Sequence, residues 1–178
     1  AVPNGSDGFQ IKGGSNLSIQ SNLISGNARY GILIEDSENA SFMGNLVGTN
    51  FDGTLDIGNG SGGAAIWTSS DITIGAGNIF SGNANEGLWL SGVTNATVTG
   101  SKFGTNAAGT AAISNDNDGI HVDFGSTNVT IGGATVAERN LLSGNGGQGI
   151  EFREAATHNN FVFGNYIGTN AAGTAAIP

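Results

Sequence analysis

Two short alternating segments carry most of the side chains in this sequence that are able to do chemistry. Gly119-Ile120-His121-Val122-Asp123 sets an imidazole and a carboxylate two residues apart. Gly149-Ile150-Glu151-Phe152-Arg153 does the same with a carboxylate and a guanidinium. Both tryptophans fall in segments of the same form, Gly63-Ala64-Ala65-Ile66-Trp67 and Gly87-Leu88-Trp89-Leu90. Residues two apart project from the same side of an extended chain. Laid side by side, such segments would gather Trp67, Trp89, His121, Asp123, Glu151 and Arg153 on one face. Aromatic planes flanked by polar groups suit a sugar ring. The same residues also read as charge pairing along a sheet: Lys12 with Glu35, Asp123 with Arg153, His121 with Glu151. Exposed pairs of that kind contribute roughly 0–1 kcal/mol each. A third reading puts the tryptophans beneath a loop or in an interface between fibres.

Calcium is a second candidate ligand. Asn115-Asp116-Asn117-Asp118 packs oxygen ligands into a turn, with Asp123 nearby. Calcium takes six to eight such oxygens, which makes Asp116 and Asp118 the candidate ligands. Asn and Asp also shape turns without any metal, and the equivalent Asn59-Gly60-Ser61-Gly62 has no carboxylate. No other cofactor is expected. Glu35-Asp36 are adjacent, so on a continuing strand they point to different sides. His158, beside Asn159-Asn160, reads as a solvated loop residue. Thr49, Thr105 and Thr169 recur, but in corners before long loops and with no Thr-x-Thr strand, which argues against a flat ice-binding array.

The elements that would position these groups are repeats. Ser-Gly-Asn occurs at 25–27, 81–83 and 143–145, and Gly-Thr-Asn at 48–50, 104–106 and 168–170. They divide the chain into super-repeats 1–57, 58–113 and 114–178, the third lengthened between Ile131 and Asn140. Gly-apolar-x-apolar appears six times, starting at Gly8, Gly31, Gly63, Gly87, Gly119 and Gly149. A second set of short strands follows, at Asn16–Ile19, Asn39–Phe42, Asp71–Ile74, Asn95–Val98, Asn128–Ile131 and Asn160–Phe163. A third set includes Asn22–Ser25, Asn45–Gly48 and Asn165–Gly168. Three short strands per turn over about six turns predicts a three-sided parallel β-solenoid. Two inward columns are expected on the first side: Phe9, Ile32, Ala64, Leu88, Ile120, Ile150, and Ile11, Ile34, Ile66, Leu90, Val122, Phe152. The outward ladders are Gln10, Leu33, Ala65, Trp89, His121, Glu151, and Lys12, Glu35, Trp67, Ser91, Asp123, Arg153. Recurrent Asn at a corner is expected to stack as an amide ladder. Thr135 to Arg139 reads as a loop.

Asn140-Leu141-Leu142-Ser143-Gly144-Asn145, Gly149-Ile150-Glu151-Phe152 and Gly164-Asn165-Tyr166-Ile167-Gly168-Thr169-Asn170 resemble the right-handed parallel β-helix repeats of large bacterial secreted and cell-surface proteins. That fold is similar to the pectate-lyase-like superfold. The resemblance covers essentially the whole chain. It implies an all-β fold, a right-handed parallel β-helix; it does not fix function, since one fold hosts many activities. Enzymes of that superfold cleave or epimerise acidic polysaccharides. Pectate lyases among them resemble one another in an acidic calcium cluster and basic residues that hold a uronate. Lys12, Arg29, Lys102, Arg139 and Arg153 are the only strong bases of this chain, too few for a basic groove. No paired carboxylates of the kind a hydrolase needs are evident. No catalytic residue is carried over, and no activity on pectate, alginate or polygalacturonate is expected.

Ala176-Ile177-Pro178 repeats Ala1-Val2-Pro3, so Ala1, Val2, Pro3, Ile177 and Pro178 are expected to join copies end to end. A solenoid without caps exposes strand edges that template such pairing. Fourteen acidic against five basic residues give a net charge of −9, which argues against nucleic acid or an anionic membrane as partner. No stretch reads as a membrane span or signal peptide, and the absence of Cys removes disulfides from the stability argument. The expectation is an extracellular or cell-surface structural protein, stacking on copies of itself into a fibre or stalk. The alternative is a module that binds or acts on carbohydrate, with surface polysaccharide as partner.

Overall fold

The computed structural model describes residues 2–177. Ala1 and Pro178, the outermost residues of the expected joining ends, lie outside the described residues. The chain winds through three parallel sheets of six strands each, visiting them in turn. The first sheet holds Phe9–Lys12, Tyr30–Glu35, Gly62–Trp67, Leu88–Ser91, Ile120–Asp123 and Ile150–Phe152. Its register is the one expected: Phe9 pairs with Ile32, Leu88 with Ala64 and Ile120, and Ile120 with Ile150. Six coils result.

Alternation along each strand builds the core. Ile32, Ile34, Ile66, Leu88, Leu90, Ile120 and Val122 are fully buried. Phe42, Ile74, Val98 and Ile131 fill it from the second sheet, and Val47, Phe80 and Phe103 from the third. Phe80 and Phe103 stack with centroids 5.3 Å apart. In the outermost coils the inward residues lack one neighbour. Phe9, Ile11 and Ile150 are half-buried there, and Phe152 is 38% exposed.

The glycine of each Gly-apolar-x-apolar phrase has a packing cause. A Cβ on Gly31 would lie 2.7 Å from the Gly63 carbonyl and 2.8 Å from Asn59 Nδ2. Space is short because a buried asparagine ladder runs beside it. Asn4, Asn27, Asn59, Asn83 and Asn115 each donate a side-chain N–H to the Oδ1 of the next rung, ending at Asn145, over 2.8 to 3.0 Å. A second buried ladder links Asn22, Asn45 and Asn78, and Asn140 with Asn165, with Ser101 between Asn78 and Asn140. These amides also bond backbone carbonyls inside the rod, such as Ile19 and Val98. The corners therefore bury polar backbone without leaving it unpaired. A third, exposed row at the second sheet includes Asn16 with Asn39 and Asn95 with Asn128; these four residues have φ between 53 and 59°, a region that Asn tolerates well.

Two readings are corrected. Thr135–Arg139 is not plain loop: Val136–Glu138 forms one 3₁₀ turn, its start held by Thr135 N–H and Oγ1 donating to Glu138 Oε2. In the last coil the second-sheet strand is shifted by one residue from the phrase Asn160–Phe163. Thr130 pairs with Phe161 and Ile131 with Val162. Val162 therefore points inward, while Phe161 and Phe163 face out, 58% and 47% exposed. A one-residue slip exchanges the faces of a strand. Here Asn159 takes the left-handed position with φ 57°. Asn160 turns toward the Val129 N–H and the Ser126 carbonyl.

Three long loops recur once per two coils, at 50–55, 106–111 and 170–175. In each, the leading Asn Oδ1 accepts the N–H of the fourth and fifth residues on. Ala107 N–H donates to Gly53 O and Ala171 N–H to Gly109 O, both at 2.8 Å, so the loops stack on one another. No helix among the described residues is long and apolar enough to cross a membrane.

Candidate ligand site on the outer face of the first sheet

The outward ladders of the first sheet bring the tryptophans and the charged residues together, but the face is less exposed than alternation implies. Leu33 and Ala65 are buried, as are His121 and Asp123. Large side chains lie over small ones. Tyr30 pairs with Gly62, and a Cβ on Gly62 would sit 3.2 Å from the Tyr30 ring. Tyr30, Trp67, Trp89 and His121 run up the face edge to face, with successive centroids 5.8, 5.4 and 6.2 Å apart. Burial, then the nearby Glu86 carboxylate, pushes the Tyr30 phenol above its ordinary range.

At the top of this row lies an acid–histidine network. Trp89 Nε1–H donates to Asp123 Oδ1 at 3.0 Å. Asp123 Oδ2 lies 3.2 Å from His121 Nε2. The other ring nitrogen, Nδ1, faces two carboxylates at once: Asp118 Oδ2 at 3.1 Å and Glu151 Oε2 at 3.0 Å. Asp118 Oδ1 accepts the Gln148 N–H at 2.7 Å, and Arg153 Nε–H donates to Glu151 Oε2 at 3.0 Å. Three expectations change. Arg153 pairs with Glu151, not with Asp123, whose two oxygens already face Trp89 Nε1–H and His121 Nε2. The His121–Glu151 pair is found, but inside a largely buried network rather than on an open surface. The carboxylates and the imidazole close into one cluster rather than standing as separate pairs along the sheet.

Asp118 was expected in a turn beside Asp116. It is fully buried and belongs to the network, whereas Asp116 is exposed and is not among the groups converging on His121. Strict alternation hides Asp118, since it stands outside the period of His121 and Asp123. The residue before each signature glycine forms its own column: Asp7, Tyr30, Gly62, Glu86, Asp118, Gln148. Reading that column would have found Asp118, Glu86 and Tyr30 together.

Beside the network a groove of about 440 Å³ is lined by Trp67, Thr68, Trp89, Ser91, Gly92 and Phe124. Phe124 is 64% exposed and sits at φ 48°, an unusual conformation for an aromatic residue. Nothing in the period-two pattern marks it, because it lies one residue past the strand Ile120–Asp123. A polar groove of about 670 Å³ follows the corner between the first and second sheets and shares Thr68 and Gly92 with the aromatic one. Together they make one trench, with Asp36 and Glu38 in its polar part. The hydroxyl of Thr68, 2.6 Å away, and then Lys12 hold the Asp36 carboxyl below its ordinary range. Lys12 reaches both Glu35, at 3.9 Å, and Asp36, at 3.6 Å. The strand ends at Glu35, so the two acids do not diverge as they would on a continuing strand. His158 is exposed.

A family model described as "Right handed beta helix region" matches residues 2–74. The fold is a right-handed parallel β-helix. Among solved structures, the chain is similar to the A-module of the mannuronan C-5 epimerase AlgE6 of Azotobacter vinelandii, with a TM-score of 0.56 and 15% identity. That likeness covers 92% of this chain and 55% of the module, so the chain spans about half of the module's length. At this identity it speaks to the β-helix alone. No curated protein sequence matches.

Proposed function

We propose that this β-helix binds a carbohydrate chain of little negative charge along the trench, outside the cell. One observation carries the reading: Trp67, Trp89 and Phe124 line a single groove that opens into a corner of hydroxyls and carboxylates. Flat apolar faces beside hydrogen-bonding groups match the two sides of a sugar ring. Asp36 and Glu38 in its polar part, on a chain of net charge −9, make the trench acidic, which disfavours a polyuronate.

Both tryptophans of the chain lie in the groove, so its intrinsic emission reports on this site. Titration with neutral β-glucan or chitin hexamers is expected to give a saturable change. Trp89→Ala and Phe124→Ala should each weaken it roughly tenfold. Oligoguluronate should bind less well. A flat titration with every neutral glycan, or unchanged affinity in both variants, would remove the reading.

A second reading, end-to-end continuation of the rod, rests on the asparagine ladder. Asn27, Asn59 and Asn83 each also donate a backbone N–H to the next Oδ1. No rung follows Asn145 among the described residues. Gly144 N–H bonds the Ile177 carbonyl as Gly82 N–H bonds that of Ile113, and Ile113 leads two residues later to the rung Asn115. We propose that a further coil, of a continuing chain or of a second copy headed by Asn4, takes the next place. The exposed inward residues Val162 and Ile167 would be covered by it. Sedimentation and electron microscopy are expected to show linear multimers that lengthen with concentration. A monomer at every concentration up to ~1 mM would exclude stacking of separate copies at any affinity relevant here.

A further inference from the structure

We propose that Asp118, His121 and Glu151 form a site for one divalent transition-metal ion of the zinc type, with Asp123 as the residue that positions the imidazole. The inference is independent of the carbohydrate reading. It starts from a mismatch at one atom. His121 Nδ1 faces Asp118 Oδ2 at 3.1 Å and Glu151 Oε2 at 3.0 Å. A ring nitrogen carries at most one hydrogen, so it cannot give both oxygens a full, linear hydrogen bond. A cation placed between the three atoms serves all of them.

The two separations from His121 Nδ1, 3.1 Å to Asp118 and 3.0 Å to Glu151, fit an ion. Two ligands about 2.1 Å from one metal, at angles between a right angle and the tetrahedral one, lie roughly 3.0–3.4 Å apart. The candidate ligand atoms of Asp118, His121 and Glu151 all fall within 4.8 Å of one another. The surroundings also fit. Asp123 faces the far nitrogen, Nε2, and is itself fixed by Trp89 Nε1–H. That is the carboxylate–histidine–metal arrangement in which an outer carboxylate sets the tautomer and the ring orientation. Gln148 N–H fixes Asp118 through its other oxygen, and Arg153 fixes Glu151.

Charge points the same way. Asp118, Asp123 and Glu151 bring three negative charges, and Arg153, whose side chain is 64% exposed, is the cation paired with them. One coil earlier in the column of Asp118, Glu86 has a carboxylate oxygen buried without a hydrogen-bond partner. Buried carboxylates in excess are costly unless compensated. With a neutral imidazole, a divalent ion brings the three carboxylates and Arg153 to balance. The imidazole selects the metal: nitrogen ligands suit zinc and its neighbours, whereas calcium takes oxygen. Three protein ligands leave a coordination position open on the side of Glu151, the most exposed of the three.

The test is a calorimetric titration of chelator-treated protein with zinc chloride, in the absence of any glycan, with calcium chloride in parallel. One zinc per chain is expected, with a dissociation constant below about 10 µM. His121→Gln should weaken it at least ~100-fold, and Asp123→Asn ~10–100-fold, the range for loss of an outer carboxylate. Asp116→Asn should leave it unchanged. The visible spectrum of bound cobalt(II) should be lost in Glu151→Gln, a substitution at the partly exposed rim. If His121→Gln fails to fold, that spectrum decides. No zinc bound by the wild type at ~1 mM, wild-type affinity in a folded His121→Gln or Glu151→Gln, or tighter binding of calcium than of zinc would each overturn the proposal.

Discussion

Replacing Ile120 with aspartate is expected to lower the melting temperature by roughly 10–20 °C or to abolish the cooperative transition. Ile120 is fully buried, stacked between Leu88 of the preceding coil and Ile150 of the following one. The substitution removes a large apolar side chain, which costs about 2–5 kcal/mol when a cavity is left. It also puts a carboxyl into a column with no polar partner. The group must either stay charged at a cost of several kcal/mol or bind a proton and remain poorly bonded. Total stabilities of proteins are about 5–15 kcal/mol. The position is also shared: losing the fifth coil uncovers the fourth, and the sixth has little else to stack upon. Thermal denaturation followed by circular dichroism checks this. A wild-type melting curve would show that Ile120 does not point inward.

Asn83→Leu is expected to cost about 2–6 kcal/mol, although leucine has the same heavy-atom branching as asparagine and is more apolar. Asn83 Oδ1 accepts both the backbone N–H and a side-chain N–H of Asn59, and its Nδ2 reaches the Val47 carbonyl and Asn115 Oδ1. Leucine leaves the Asn59 backbone N–H and one Asn59 side-chain N–H buried and unpaired, at about 1–3 kcal/mol each, while the Val47 carbonyl keeps the Ser81 N–H. It also meets Gly63, where a Cβ would already lie 2.9 Å from Asn83 Nδ2. Asn83→Ser should be milder, because Ser101 stands in for an asparagine in the other buried ladder. Guanidinium unfolding midpoints of the two variants provide the measurement. Equal midpoints for Asn83→Leu and wild type would mean that the ladder only fills space.

The rod itself was legible in the sequence, for a reason visible at single residues. Ile32, Ala64, Leu88 and Ile120 follow one another at intervals fixed by Gly and Asn, and a solenoid repeats one environment per coil. The first-sheet register followed directly. What alternation misjudged lies where a strand stops or a corner begins. Asp118 and Phe124 flank a strand that runs only from Ile120 to Asp123, and past its ends the chain bends out of period two. The slip at Phe161 has the same origin: Asn159 and Asn160 are both able to take the left-handed corner, and the sequence alone does not say which one does. Burial of His121 was not legible either. It depends on the Trp89 ring of the coil before and on the carboxylates of Asp118, Asp123 and Glu151 closing round the imidazole, and each coil read singly shows an outward residue.

The stacked loops bear on how such a chain can lengthen by duplication. Gly53 bonds Ala107 and Gly109 bonds Ala171, each link reaching past a coil that has no loop. A copying event that added one coil would set a loop opposite a bare corner and break the column. An event that added two coils would place loop upon loop and keep every link. The heritable unit of this rod is then the pair of coils, and the recurrence of Gly-Thr-Asn at 48, 104 and 168 is the trace it leaves in the sequence.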